Sequence, residues 1–467
     1  MRKNSIAIIG GGIAGSSVAL YLSQFDLDIT LFEKESSLVN GPPMCHLHAG
    51  GNLYREIDNA QCIKLLKQSI ELLRFYPHAI DFRPTLLITP KEDKEAADKL
   101  LPRLKMLQKE YEKLIKEDSH NEVLGPSQKY FKLYSQEELQ YLRTQKIREK
   151  PQTLDEWLIP IAKELDFRKI KFPIILVQEY GLNVFRIASS VSLLLNEKKN
   201  VSIKTDTYIT NIEKTNDTFI INGKKFDYLI NAAGFRSGMI DDMIGIKRQR
   251  LVEFKAAYVT QWQTDTTTWP EVIFYGERGT PQGMAQFTPY PNGYFQLHGM
   301  TPNITLFQDG LAKSPSNSSQ PKLSKPFVQK IEHGWEKDEI RQRTQEAIDY
   351  LSNFIPAFKD ALVASKPLYG AQQIPGNDIT LRAAEVSFEQ EYYARCEIVK
   401  ASSILSMAKA ITKQLKSIQL IQSDSVKKES RNNITDEIVT KYAEQLCIER
   451  DYPKALASVN NGVRERI

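Results

Sequence analysis

Three glycines near the start of the chain have the spacing of a nucleotide-binding turn. Gly10, Gly12 and Gly15 follow the apolar run IAII and precede the segment SSVALYLSQF. In such a turn the first glycine permits a tight bend, the second lets backbone approach a pyrophosphate, and the third lets helix and strand pack closely. Ile13 and Ala14 then belong to the helix start, whose free N–H groups face the phosphates. The spacing predicts a dinucleotide site.

An acidic residue at the expected distance supports this interpretation. Glu33 ends a second apolar run, DITLF, and lies 33 − 15 = 18 residues after Gly15. An acid that binds the hydroxyls of a ribose is expected roughly 20 residues after the turn. We therefore predict that Glu33 binds the ribose, with Lys34 beside it as a further cofactor-binding candidate. The alternative is a solvated residue at the end of a strand.

The composition limits the classes of function. The 467 residues exceed the usual size of a single core, so two domains or interleaved lobes are expected. Lys and Arg total 62 against 57 Asp and Glu, and the net charge of +5 is scattered, which predicts no nucleic acid partner.

The cysteines and the hydropathy indicate the compartment. The four cysteines form no C-x-x-C pair, which predicts neither a disulfide framework nor a metal site and favours a cytoplasmic location. The sequence has no run of about 18 apolar residues, so we expect no membrane span. Peripheral contact with a membrane stays open.

The elements that must position these residues also follow from sequence patterns. Helical periodicity marks the stretches AQCIKLLKQSIELLRFY and KLLPRLKMLQKEYEKLIKED. Asn-Gly pairs at 222–223 and 292–293 predict hairpin turns. The second pair lies in a region of alternating apolar and polar residues, which is typical of an antiparallel sheet.

A second coupling of strand and small-residue turn, LINAAG, ends at Gly234. With the glycine turn, Glu33, the run HAGG beginning at His48 and the segment EYGLNVFRIASSVSLLL, it makes the chain resemble the D-amino-acid oxidase superfamily of FAD-dependent oxidoreductases, in the glutathione-reductase-like class. The resemblance implies FAD as the cofactor. It also implies an α/β fold in which a Rossmann-like FAD-binding domain is interleaved with an α+β substrate domain built on an antiparallel sheet.

The implied domain organisation alternates along the chain. The FAD-binding domain takes residues 1–75, 176–248 and 366–415, the substrate domain takes 76–175, which includes a helical excursion, and 249–365, and a peripheral helical tail takes 416–467.

The resemblance assigns further cofactor residues. Ala233 and Gly234 lie on a return strand that passes near the dinucleotide, where larger side chains would collide with it. His48, Ala49 and Gly50 match a His-x-Gly motif that runs along the flavin in the family. Three roles stay open for His48: an acid or base, a packing and hydrogen-bonding partner of the flavin, or a covalent flavin anchor.

The predicted antiparallel sheet carries the candidates for substrate binding. Arg278 suits a bidentate pair with a substrate carboxylate, and its alternative is a surface arginine. His298, like His48, is a candidate to accept a proton from the substrate, a role that water also fills. Tyr275 and Gln286 are further pocket candidates.

The reaction that the resemblance implies is oxidation of a C–H bond next to an amine or hydroxyl of a small acid, by hydride transfer to flavin N5. The electrons then pass to oxygen, a quinone or another carrier. Arg395 and Lys400 are the cations predicted to stabilise negative charge on the reduced flavin. Two alternatives are an NAD(P)H-dependent flavin monooxygenase and a noncatalytic FAD-binding protein.

Overall fold

The computed structural model describes residues 3–40, 57–215, 217–263, 268–381, 384–422 and 434–460. The helices in this part of the chain are α1 (Ile13–Leu22), α2 (Asn59–Phe75), α3 (Leu101–Glu117), α4 (Gln136–Arg143), α5 (Leu154–Glu164), α6 (Val184–Asn196), α7 (Ser237–Met243), α8 (Lys325–His333), α9 (Lys337–Ser352), α10 (Ile404–Ser417) and α11 (Asp436–Glu449). The strands are β1 (Asn4–Ile9), β2 (Leu27–Phe32), β3 (Ile80–Asp81), β4 (Thr85–Pro90), β5 (Phe131–Tyr134), β6 (Ile170–Val177), β7 (Gly181–Leu182), β8 (Val201–Lys204), β9 (Glu213–Thr215), β10 (Thr218–Ile221), β11 (Lys224–Phe226), β12 (Tyr228–Asn231), β13 (Arg250–Gln261), β14 (Glu271–Phe274), β15 (Ala285–Tyr290), β16 (Tyr294–Gly299), β17 (Leu311–Lys313), β18 (Leu362–Val363), β19 (Leu368–Pro375), β20 (Val386–Gln390) and β21 (Tyr393–Cys396).

A six-stranded sheet carries the glycine turn. Its order is β20-β21-β12-β1-β2-β8, and all neighbours are parallel except the edge strand β20. Both faces of β1 are covered, which explains its unbroken apolar run: Ile6 and Ile8 pack with α1, α6 and α10, while Ala7 and Ile9 pack with the small sheet β9-β10-β11 and α7.

A larger sheet has the order β17-β13-β16-β15-β14-β4-β6-β5, and β13 also pairs with β18 and β19. Its neighbours are antiparallel apart from the parallel pair β14 and β4. One face packs against α4, α5 and α9, and the other shares a core with the six-stranded sheet and its helices. The predicted fold class, a Rossmann-like α/β unit joined to a unit built on an antiparallel sheet, is confirmed.

Both predicted Asn-Gly turns connect antiparallel strands. Asn222 and Gly223 join β10 to β11 with φ angles of 49° and 75°. Asn292 and Gly293 join β15 to β16 with φ angles of 63° and 72°. These left-handed conformations suit asparagine and glycine, as in turns that match the twist of a hairpin.

The C-terminal segment 434–460 packs into the body of the protein, although the sequence suggested a peripheral tail. Arg186 on α6 donates hydrogen bonds to Asp436 and Thr440 on α11. Asn183 Nδ2 donates to the carbonyl of Leu456 at 2.8 Å. The predicted domain boundaries remain predictions. Among the described residues, no helix combines the length and apolar character needed to span a membrane.

Candidate functional site

A cavity of about 640 Å³ lies at the carboxyl ends of β1, β2 and β12. Ligands of open parallel sheets bind at this edge, and the volume is typical of a small-molecule site. The wall includes seven of the residues predicted to bind a cofactor, namely Gly10, Gly12, Ile13, Glu33, Lys34, Ala233 and Gly234.

The three glycines of the turn have different structural roles. A Cβ atom on Gly10, whose φ is 103°, would lie 2.4 Å from the carbonyl oxygen of Ala232, and a Cβ on Gly15 would lie 1.8 Å from that of Gly10. Both positions are therefore packing constraints, and Gly15 and Ala14 lie behind the cavity wall rather than in it. A Cβ on Gly12 would meet no atom within 4 Å. Gly12 leaves open space at the N-terminus of α1.

Glu33 is held in place by backbone N–H groups. Its Oε2 accepts a hydrogen bond from the N–H of Gly11 at 2.6 Å, and its Oε1 accepts one from the N–H of Glu35 at 2.9 Å. Burial raises the pKa of Glu33, although these two bonds oppose the shift. A carboxylate offers about four acceptor positions, so Glu33 keeps acceptor capacity for ligand hydroxyls.

Buried polar side chains cover the face of the large sheet that is turned toward the shared core. On β13, Ala256 and Tyr258 pack under the helices on the opposite face. Because successive strand residues point to opposite faces, the odd-numbered residues of β13, such as Lys255, point to this side. We call this set the polar face: Glu253, Lys255, Glu271, Gln286, Thr288, Gln296 and His298. All but His298 are buried, with at most 7% of the residue exposed. Polar groups at core positions are informative, because burial costs free energy unless partners are present.

At one end of the polar face, two cations share one carboxylate. Glu253 accepts a hydrogen bond from Arg278, and Lys255 Nζ lies 2.8 Å from Glu253 Oε2. Burial alone would raise the pKa of Glu253, but Lys255 and Arg278 outweigh it and lower that pKa. Arg278 NH1 is buried and has no hydrogen-bond partner among the described residues. This end of the face therefore keeps a buried guanidinium donor that can meet a further acceptor.

At the other end, Arg83 joins two acids. Its NH2 donates to Glu271 Oε2 at 3.0 Å, and its NH1 donates to Asp81. Burial raises the pKa of Asp81 to about 6, although the charge of Arg83 opposes the shift. Gln286 donates to Glu271, and His298 Nδ1 lies 3.4 Å from Gln286 Oε1. His298 is thus connected to a buried network of charges.

The cavity and the polar face meet along β13 and β19. In this pair Lys255 lies opposite Gly370, and Glu253 lies opposite Gln372. The β19 residues 369–371 line the cavity, and Lys255 Nζ donates to Gln372 Oε1 at 2.7 Å. A ligand in the cavity therefore has charged side chains of the polar face as near neighbours.

Comparison with known proteins identifies the family. A family model described as FAD dependent oxidoreductase matches residues 5–367. The chain belongs to this FAD dependent oxidoreductase family. The match confirms the family resemblance predicted from the sequence, the class of enzyme, and FAD as the cofactor. No curated protein matches the sequence.

Solved structures of similar fold cover nearly the whole chain. An L-proline dehydrogenase from P. horikoshii has a TM-score of 0.55 at 16% identity, covering 91% of this chain and 96% of its own. An L-α-glycerophosphate oxidase from Mycoplasma pneumoniae has 0.54 at 16% identity, covering 92% and 98%. An L-amino acid deaminase from Proteus vulgaris has 0.53 at 13% identity, covering 94% and 96%. At these identities the likeness shows the fold.

The cavity residues fit the FAD of the family. The space beside Gly12 adjoins the first turn of α1, where backbone N–H groups lack helical partners and attract phosphate. Glu33 has acceptor positions of the kind that ribose hydroxyls need, so its ribose-binding role stays a prediction. A Cβ on Gly234, whose φ is 57°, would also meet no atom within 4 Å, so the return strand leaves room for a ligand.

The remaining predicted site residues are placed differently. His298 lies on β16 in the polar face, Arg278 lies in the turn between β14 and β15 beside that face, and neither is part of the cavity wall. His48, Ala49 and Gly50 lie outside the described residues, so their roles at the flavin stay predictions.

Arg395 does not serve as a flavin cation. The side chain is fully buried, with Nε 2.8 Å from Asp241 Oδ2 and NH1 donating to Ser387 Oγ at 2.9 Å. Its guanidinium therefore belongs to a buried network with Asp241 and Ser387, away from the cavity wall. The interpretation of Arg395 is wrong because β21, which carries it, pairs directly with β12. The role of Lys400 stays a prediction.

Sequence reasoning missed several parts of the wall. Thr207, whose N–H donates to the carbonyl of Glu33 at 2.8 Å, lines the cavity after β8. Arg450 and Tyr452 line it from the C-terminal segment. The apolar residues of α11 at positions 439, 443, 446 and 447 have helical spacing and are buried. That spacing was the available signal that this segment packs inward.

Proposed function

We propose that the protein oxidises a C–H bond next to an amine or hydroxyl of a small acid, with hydride transfer to N5 of FAD. The observation that carries this proposal is the junction of the cofactor cavity with the polar face along β13 and β19. FAD, when bound, supplies a two-electron acceptor. The chain supplies binding, orientation and a place for the proton.

A donor at the junction favours an acid as the substrate. Arg278 and Lys255 both pair with the carboxylate of Glu253, which leaves one end of the Arg278 guanidinium for another acceptor. The buried NH1 of Arg278 is a donor suited to a carboxylate oxygen. In a buried setting such a charge-assisted hydrogen bond contributes about 1.5 to 3 kcal/mol. The carboxylate of a small acid would satisfy this donor.

The substrate also has to lose a proton. As the C–H bond breaks, its electron pair leaves as hydride, and the proton on the amine nitrogen or hydroxyl oxygen passes to a base. In our proposal that base is His298, whose ring is oriented by Gln286. His48 remains the alternative base. The products are an imine or a ketone, the protonated base and the reduced cofactor.

Anaerobic reduction of the FAD-loaded protein tests the proposal. The visible absorbance of the flavin is followed during addition of α-amino acids, secondary amines and α-hydroxy acids. Bleaching by one class supports the proposal and selects amine or alcohol chemistry. Bleaching by NAD(P)H alone would indicate a monooxygenase, and no bleaching by any compound would indicate a noncatalytic protein. Adding oxygen or a soluble quinone to the bleached enzyme then identifies the electron acceptor.

An arginine variant tests the substrate charge. Arg278→Met removes the free donor, so KM for acids should rise by about 10- to 100-fold. Reduction by amines that lack a carboxylate should change little. Arg341→Met, which removes an exposed arginine paired with Asp338 on α9, is the matched control. Equal losses for acids and simple amines would contradict the assignment of Arg278.

A further inference from the structure

Arg450 connects the C-terminal segment to the glycine turn. It follows α11 and lines the cavity. Its NH1 donates to the carbonyl of Val39 at 2.9 Å, and its NH2 donates to the carbonyl of Leu38 at 2.8 Å. The N–H of Val39 in turn donates to the carbonyl of Gly11 at 2.8 Å. Arg450 is therefore linked, through Leu38 and Val39, to the glycine turn beside the predicted pyrophosphate position.

The charge of Arg450 is not balanced within the described part of the chain. Lys34 pairs with Glu35 and Arg236 pairs with Glu332, so two other cations of the wall each have a carboxylate partner. No Asp or Glu of the described residues lies within salt-bridge distance of Arg450, and its Nε is buried without a hydrogen-bond partner there. Burial lowers the pKa of Arg450. A partly buried cation without a carboxylate partner is costly unless an anion joins it.

A second cation lies on the same side of the cavity. Lys366 lines the wall, and burial lowers its pKa. Its Nζ lies 4.8 Å from the ring centre of Tyr452 and 3.8 Å from a carboxylate oxygen of Asp451, whose side chain is 93% exposed. Such an exposed partner compensates little of the charge. The C-terminal segment and the start of β19 together make this part of the wall positive.

We propose that Arg450, with Lys366, binds the diphosphate of FAD, so that the segment 434–460 completes the cofactor site. One side of the diphosphate would face the N-terminus of α1, and the other would face these two cations. Arg450 lies beyond residue 367, where the family match ends, so this contact belongs to the part of the chain outside that match. Binding of FAD and docking of α11 are then coupled, because each supplies a partner that the other needs.

The decisive comparison is between a ligand with a diphosphate and one without. Affinities of ADP and adenosine are measured by competition with FAD, using the full-length apoprotein. Arg450→Met should weaken ADP by about tenfold or more, since it removes a charge-assisted contact, and should leave adenosine within about twofold. Arg450→Lys should weaken ADP by less. Lys441→Met, which removes an exposed cation from the same helix, should change neither affinity.

Two results would overturn the proposal. Unchanged ADP affinity in Arg450→Met would show that the guanidinium does not contact the phosphates. Equal weakening of ADP and adenosine would show that Arg450 only holds the carbonyls of Leu38 and Val39. If the Arg450 variants do not fold, Lys366→Met decides, because among the described residues the ion pair and ring contact of Lys366 are with Asp451 and Tyr452 and not with Leu38 or Val39. It should weaken ADP selectively, and an unchanged ADP affinity would reject the proposal.

Discussion

The two regions that meet at β13 and β19 are built by opposite means. At the glycine turn and the return strand, the cofactor cavity is lined by small residues such as Gly12 and Ala233, so ligand binding there depends on side chains being absent. The polar face is made of charged and amide side chains that hold one another. We therefore expect that adding a side-chain carbon atom to a glycine of the first region impairs packing or cofactor binding. Removing a charge from the second region should lower the stability of the fold. The following changes test that difference, beginning with the largest effect.

Substitutions at two glycines separate packing from cofactor binding. In Gly15→Val the new Cβ would lie 1.8 Å from the carbonyl oxygen of Gly10, so we expect a loss of about 3 kcal/mol or more and little folded protein. Gly12→Val meets no protein atom at Cβ and should fold, but it should lose FAD because the side chain blocks the pyrophosphate. Thermal unfolding and the flavin-to-protein absorbance ratio measure both. Full flavin in a folded Gly12→Val protein would refute the dinucleotide site.

Removing the shared cation should destabilise the polar face. Arg83→Met leaves Asp81 and Glu271 as buried acids without their cation, at a cost of about 3 to 5 kcal/mol in urea unfolding. Burial raises the pKa of Asp81, so this carboxyl binds more protons in the folded than in the unfolded state, and the stability of the variant should fall as the pH rises from about 4 to above 6. Arg168→Met, at an exposed pair with Asp166, is the control. Equal losses at pH 5 and pH 8 would contradict this explanation.

The acid of the cavity should affect binding more than folding. Glu33→Gln removes the charge that we predict to face the ribose, so FAD affinity should fall by about 10- to 100-fold in titrations of the apoprotein. Because burial raises the pKa of Glu33, wild-type affinity should weaken as the pH falls through that pKa and the carboxylate is protonated. The variant should lack this pH dependence. A parallel pH dependence in both proteins would assign it to another group.

The smallest effect is expected at Lys34. This residue lines the cavity, but its side chain is 36% exposed and pairs with Glu35. Exposed ion pairs contribute little because solvent screens them. Lys34→Met should therefore change FAD affinity by less than about twofold in the same titration. A larger loss would show that a cation on this side of the cavity also contacts the cofactor.

The sequence predicted the parts of the site that depend on short spacings. The glycine turn and Glu33 lie on consecutive elements, so their spacing along the chain reflects their geometry. The place of Ala233 and Gly234 in the cavity wall was implied by the family resemblance, with which their small size is compatible. Both Asn-Gly turns were also predictable, because few residues adopt a positive φ.

Other parts were not predictable because distant segments form them. The pairing of Lys255 with Gln372 depends on the register of β13 and β19, and nothing near either residue indicates it. Arg395 looked like an available cation, but its burial follows from the position of β21 beside β12. For Arg278, the sequence indicated a donor for a substrate carboxylate, but it did not indicate the ion pair that Arg278 forms with Glu253.

The bond between Arg450 and Val39 joins positions 411 residues apart. During synthesis the glycine turn leaves the ribosome long before α11 exists, so the nascent chain holds an incomplete cofactor wall for most of its translation. Contacts so distant in sequence also form slowly, because a long loop must close first. Flavin capture should accordingly be a late event in the maturation of this protein.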